Sequence, residues 1–133
     1  MAKRKPQIMM RSYGIYTKWD KDSKDLPRLA QMTTRVRADI DVEFGFLVNI
    51  KGAKNQELIY CIDHPGILDQ EGAPRPAFDG LVYVKQNEWN FYLGDTIWEP
   101  VEDKLGPWHM TLELGGKIVA EKTFELYRDN APA

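Results

Sequence analysis

The sequence predicts an all-β protein: an antiparallel β-sandwich of seven or eight short strands, ending in a C-terminal hairpin. Three observations carry this reading. Apolar and polar residues alternate in run after run, turn-forming residues fall between the runs, and no stretch shows the apolar period of a long helix. A strand points successive side chains to opposite faces, so a period of two marks a sheet with one buried face. Many short strands without intervening helices stack as a sandwich or barrel rather than as βαβ units.

In chain order, the basic start MAKRKP leads into no apolar run, and residues 1–7 read as a solvated flexible end. A single domain is expected over 8–127, with a short tail at 128–133. The first strand is IMMRSYGIYTKW, which sets Tyr13, Ile15, Thr17 and Trp19 on one side. The charged connection that follows leaves room in SKDLPRLAQ for one helical turn, capped by Ser23 or Asp25, and Pro27 stops anything longer. MTTRVRA is β-branched enough for a short strand. DVEFGFLVNI is the clearest element, with Val42, Phe44, Phe46, Val48 and Ile50 at every second place. A helix would scatter those five around its circumference. Gly52 and Asn55 in KGAKN form a turn, so ELIYCIDH is expected to pair with the preceding strand as a hairpin. LVYVKQ and WNFYLG follow, with Asn87 and Glu88 at the bend between them.

The last hairpin allows its register to be worked out. In GPWHMTLELGGKIVAEKTFEL, a two-residue Gly115–Gly116 loop would set Ile118 against Glu113 and Met110 against Glu121. That mixes apolar with charged positions, and a one-residue slip moves every side chain to the other face. A three-residue loop of Leu114, Gly115 and Gly116 instead pairs Leu112 with Ile118 and Met110 with Ala120. It places Glu113 against Lys117 and His109 against Glu121. This register is expected, with a loop one residue further along as the alternative of equal parity. Trp108, Leu112, Ile118 and Phe124 then face the core. Lys122 shares their face near Trp108, its stem packed and its amine reaching water.

This ending resembles the G-x-W, strand, glycine turn, strand, x-F close of bacterial immunoglobulin-like sandwich domains. Together with EFGFLVNIKGA and IYCIDHPG, residues 8–127 resemble a small bacterial family known only as a domain of unknown function. The resemblance implies an immunoglobulin-like sandwich and carries over no catalytic residue. The paired cysteines of immunoglobulin domains and their core Trp pattern are absent.

Composition narrows the function. Eighteen Lys and Arg against twenty Asp and Glu leave a formal charge of −2, too little to draw in nucleic acid or an anionic membrane. No window approaches the roughly eighteen apolar residues of a membrane span. Cys61 is the one cysteine, so no internal disulfide forms, and a cytoplasmic setting is expected. Cys61, Asp63 and His64 in CIDHPG suggest a hydrolase-type site, but strand alternation puts Cys61 and Asp63 on one face and turns His64 away. Cys61 then reads as a small buried hydrophobe, and His64 as a ring bonded to nearby backbone. Asp63, Asp69, Glu71 and Asp79 lack the spacing of a calcium loop. No phosphate-binding glycine motif or zinc spacing appears, so neither cofactor nor metal is implied.

What remains is binding. HPGILDQEGAPRPAFDG, residues 64–80, is longer than ordinary connections and stiffened by Pro65, Pro74 and Pro76. It reads either as a crossover between sheets or as a recognition surface. In GDTIWEPVEDKLG, Ile97 and Trp98 sit among acids; exposed, they mark an interface, and packed, they end a strand. His64, Pro65, Arg75, Ile97 and Trp98 form the expected interaction surface. Tyr92 and Tyr127 fit corner tyrosines with hydroxyls tied to backbone. The expected function is a non-enzymatic module binding a protein partner by loop tips or an edge strand, as a monomer or a homodimer. The alternative is a binder of sugar or lipid through exposed aromatics.

Overall fold

The structure, a computed structural model, describes residues 5–17 and 25–128. Trp19, Ser23 and most of both chain ends lie outside the described residues. Among the described residues, nine strands form two sheets. One sheet runs β2 (Leu29–Gln31), β1 (Gln7–Tyr16), β4 (Glu43–Lys51), β7 (Glu88–Thr96). The other runs β3 (Arg35–Arg37), β9 (Lys117–Tyr127), β8 (Gly106–Leu114), β5 (Glu57–Asp63), β6 (Phe78–Tyr83). Every pairing is antiparallel except β3 with β9. The helical turn allowed before residue 32 is instead the short strand β2, because Thr17 ties the end of β1 to Arg28 by two hydrogen bonds and draws the returning chain alongside. One 3-10 turn, Glu102–Lys104, is the helical element among the described residues.

The sheets meet along the alternation read in DVEFGFLVNI. Phe44, Phe46, Val48 and Ile50 on β4 are fully buried and face Leu58, Trp108, Met110, Leu112, Phe124 and Leu126 of the other sheet. Phe44 presents its ring edge-on to Trp108 at 5.2 Å and to Phe124 at 5.6 Å, the favoured geometry for aromatic quadrupoles. A bulge between Met10 and Ser12 in β1 switches parity, so Ile8 and Met10 face inward before it and Tyr13 and Ile15 after it.

The hairpin expected of DVEFGFLVNI and ELIYCIDH does not form. β4 pairs with β1 and β7, and β5 with β6 and β8, so residues 52–56 cross between sheets, with Ala53 buried in the crossing. The connection from β6 to β7 crosses likewise, carrying buried Val84. Consecutive strands that each own an apolar face bury more by opposing those faces than by lying side by side. Conversely, the 64–80 segment is not a crossover between sheets. It joins β5 to its ladder neighbour β6.

The C-terminal hairpin resolves its conflict in a way neither simple register does. Gly115 and Gly116 form a two-residue turn with φ of +60° and +80°, the left-handed pair that a tight hairpin needs. Glu113 therefore lies opposite Ile118, which is 57% exposed rather than in the core. A bulge then takes up Val119. From Leu112–Ala120 onward, through Met110–Lys122 to Trp108–Phe124, the ladder follows the register of a loop one residue further along. The bulge restores the inner face that the turn had cost. Glu113 and Lys117 are not paired, while His109 reaches Glu121 diagonally at 3.6 Å. The Lys122 amine lies 3.8 Å over the Tyr13 ring, a cation–π contact at a half-buried position.

Candidate functional site

β6 and β7 are the last strands of their sheets, and neither has a second ladder partner among the described residues. The sandwich is open on that flank. Alternation decides what the opening shows. The inward positions of β7 are Trp89, Phe91, Leu93 and Asp95, opposite Ile50, Val48, Phe46 and Phe44 of β4. In the middle of β4 such side chains are sealed, whereas at the edge Trp89 and Phe91 are only half-buried. Tyr60 and Ile62 of β5 and Phe78 and Val82 of β6 face them from the other sheet. Phe91, Leu93, Gly94 and Asp95 join those four in lining a cleft of about 470 Å³. Tyr60 lies across Gly80, its ladder partner; a Cβ there would overlap the phenol, so the glycine is what lets the ring swing over the edge strand.

The far face of β7 is locked. Tyr92 donates its hydroxyl to one carboxylate oxygen of buried Glu43, and Thr96 donates to the other. Tyr16, itself bonded to Ser12, meets the Tyr92 ring edge-on at 4.9 Å. Burial, and next the Glu43 charge, push the Tyr92 phenol far above its usual value, so it stays a donor. This is a tie to a carboxylate rather than the backbone tie expected of a corner tyrosine. Tyr127 packs beneath the Arg35 guanidinium at 4.6 Å.

The five residues read from sequence do not converge. His64 is 8% exposed, with its ring 4.9 Å from Phe78 and 6.2 Å from Trp108. Its Nδ1 accepts the Ile67 N–H at 3.0 Å, which leaves the proton on Nε2 to be donated to the Pro76 carbonyl, also at 3.0 Å. It bonds backbone at both nitrogens. Ile97 is fully buried, and Trp98 is half-buried with the Lys104 amine 4.2 Å over its ring. Only Pro65 and Arg75 are exposed. His64 and Ile97 thus support the surface from inside instead of offering one.

The long loop is also folded on itself. Ile67 plugs it into the core, Leu68 bridges Pro74, and Asp69 accepts the N–H groups of Glu71 and Ala73. Asp103 accepts the Leu68 N–H at 3.2 Å and the Lys104 amine at 2.9 Å. Burial works against ionising Asp103, but the Lys104 and Leu68 bonds outweigh it and hold the carboxyl below its usual range. Lys104 is fully buried, with a second bond to the Pro100 carbonyl, and its own carbonyl takes the Trp108 indole N–H.

Asp63 and His64 part company where β5 ends, one outward and one inward. Cys61 is on the outer face of its sheet opposite Asp79 and Thr111, not in the core, because the inner positions of β5 belong to Leu58, Tyr60 and Ile62. Its thiol is pushed up by burial and then by the charges of Asp63 and Asp79, away from the reactive thiolate. Among the described residues no three His, Cys, Asp or Glu side chains gather as a metal site, and no helix is long and apolar enough to cross a membrane. Sequence reading missed the cleft residues Tyr60, Phe78, Val82, Phe91 and Asp95. The one signal, for Phe91 alone, was the uncharged run WNFYLG, which reads equally well as an inner strand.

Residues 4–126 match the model of a family described as a domain of unknown function, DUF3859. Among solved structures, the chain is similar to an immunoglobulin-like protein from Pseudomonas aeruginosa at 22% identity and a TM-score of 0.76, over 96% of this chain and 100% of that one. That likeness shows the fold, and it is the immunoglobulin-like sandwich expected from the sequence. A second similarity, to an alkylpurine DNA glycosylase of Pseudomonas fluorescens bound to DNA containing an abasic site analog, has 11% identity and a TM-score of 0.42. It covers 72% of this chain and 28% of that one, and carries no argument. No curated protein matches the chain.

Proposed function

The chain belongs to the DUF3859 family of domains of unknown function, and from that footing we propose that it is a non-enzymatic binding module that takes an extended polypeptide segment onto the free edge of β7. The single observation that carries this reading is the open flank. An edge strand presents unpaired N–H and C=O groups, and proteins ordinarily blunt such edges with lysine, proline, bulges or a covering loop. β7 carries neither lysine nor proline, and Trp89 to Gly94 hold no charge. Beside that edge stands a cleft of half-buried apolar side chains. A guest strand would extend the sheet by backbone hydrogen bonds while its alternate side chains enter the gap.

The test uses the whole chain and a display library of ten-residue peptides with apolar residues at alternate positions. Binding peptides should slow hydrogen exchange of the β7 amides and change the fluorescence of half-buried Trp89. A library that yields no binder, or protection that maps to another edge, overturns the proposal. The cleft volume also suits a small apolar ligand, since such sites run to about 300–1,000 Å³. That reading predicts binding without protection of β7 backbone amides.

A further inference from the structure

The outer face of the five-stranded sheet shows large apolar side chains to water. Ile59, Leu81, Tyr83 and Ile118 are 39%, 44%, 56% and 57% exposed. The ladders set three of them in one row. Leu81 on β6 lies opposite Ile59 on β5, Ile59 opposite Glu113 on β8, and Glu113 opposite Ile118 on β9. Tyr83 stands in the next row, opposite Glu57. Gly115 and Gly116 carry no side chain, and beside them a hollow of about 300 Å³ opens against Gln56, Glu57 and Ile59.

The charge around this row is negative. β5, β6 and β8 contain no Lys or Arg, and Glu57, Asp63, Asp79 and Glu113 share the outward parity of Ile59 and Leu81. Glu57 accepts the Tyr83 hydroxyl at 3.4 Å, whereas the carboxylates of Asp63, Asp79 and Glu113 have no hydrogen-bond or ion-pair partner among the described residues. The cations of β3, β8 and β9 are engaged elsewhere or averted. His109 meets Glu121, Arg37 meets Asp39, Arg35 lies over Tyr127, Lys122 lies over Tyr13, and Lys117 sits opposite Leu114 on the other parity.

We propose that this face is a second docking surface, separate from the β7 edge, and that it takes a cationic amphipathic helix of a partner protein, laid across the strands from β6 to β9. A guest strand has no place here, because β5, β8 and β9 each have a ladder neighbour on both sides. The occupant engages side chains alone. Neighbouring strands stand about 4.8 Å apart, so the row is about 14 Å long, which a helix covers in about ten residues. Its apolar stripe meets Leu81, Ile59 and Ile118. Lysines or arginines along the stripe meet Asp63 and Asp79 on one side and Glu57 on the other, and a lysine stem fits the hollow beside the glycine turn. A second copy of this face would set carboxylate against carboxylate, and nucleic acid or an anionic bilayer has the same wrong sign.

Three peptides of about eighteen residues, long enough to hold a helix, test this on the whole chain. One has leucines on one helical face flanked by lysines, one has glutamates in place of the lysines, and one scrambles the lysine peptide. Calorimetry reads affinity, and methyl NMR shifts of Ile59, Leu81 and Ile118 read the site. The lysine helix should bind about tenfold tighter than either control, gain helical circular dichroism on binding, and weaken as salt rises. Ile59→Thr with Leu81→Thr should cost about tenfold in affinity. If that pair fails to fold, Ile118→Thr should weaken binding and Asp79→Asn should shrink the salt dependence. Equal binding of the scrambled peptide overturns the helix, and equal binding of the glutamate peptide overturns the charge assignment. Absence of binding, or shifts confined to β7, overturns the surface and leaves strand addition standing. Self-association that Ile118→Thr abolishes makes a second copy the occupant and overturns the proposed partner.

Discussion

Replacing Trp108 should remove a large share of this protein's stability, and the cost can be built from its surroundings. The side chain is 1% exposed, packs edge-on to Phe44 at 5.2 Å, and donates its indole N–H to the Lys104 carbonyl at 2.8 Å. Truncating a buried aromatic to alanine costs about 3–5 kcal/mol in lost transfer free energy and cavity. Leaving a buried carbonyl unpaired adds about 1–3 kcal/mol. Trp108→Ala should therefore cost about 4–8 kcal/mol, against a total of about 5–15 kcal/mol for a domain of this kind. Trp108→Phe keeps much of the packing but not the N–H, and should cost about half as much. Urea unfolding followed by far-UV circular dichroism reads both. With a slope near 2 kcal/mol per molar urea, the alanine midpoint should fall by about 2–4 M. A fall below about 0.5 M would refute the view that this indole joins the two sheets to the 97–105 corner.

The acid side of the stability profile should carry a mark from Asp103. Its carboxyl lies below the usual range in the folded state, so its contribution is fully present above about pH 4, the unfolded value, and is lost as pH falls through the folded value. Hydrogen exchange at the Leu68 amide should speed up on acidification, and Asp103→Asn should flatten that dependence; an unchanged profile would refute the assignment. Cys61 should alkylate more slowly than free cysteine at neutral pH, because burial and the Asp63 and Asp79 charges disfavour its thiolate. Rates with iodoacetamide should rise in an Asp63→Asn, Asp79→Asn variant, and a rate equal to that of free cysteine would contradict the electrostatics.

Much of the architecture was legible because it is written in local alternation. The face that β4 buries follows from residues 42–50 alone, and the parity of Trp108, Met110 and Leu112 follows from their own spacing. His64 bonding backbone at the end of β5 was legible too, since Pro65 leaves the strand nowhere to continue. The turn at Gly115–Gly116 shows where such reading fails. Pattern alone demanded one register throughout, and the chain instead combined the tight turn its glycines favour with a bulge that repaired the inner face, at the expense of exposing Ile118.

The candidate cleft was not legible for a related reason. Tyr60, Phe78, Val82 and Phe91 carry the same alternation as core residues, and only their place at the ends of two sheets leaves them half-covered. Alternation reports which side chains seek shelter from water, a property of each short segment. Which strand lies beside which depends on how all the apolar faces close over one another at once, and that sum is taken over residues distant in the chain. The sequence by itself determined that there would be two sheets with aromatic inner faces. The tertiary structure decided that β4 and β5 would face each other rather than pair, and that β6 and β7 would be the outermost strands among the described residues, with a cleft between them.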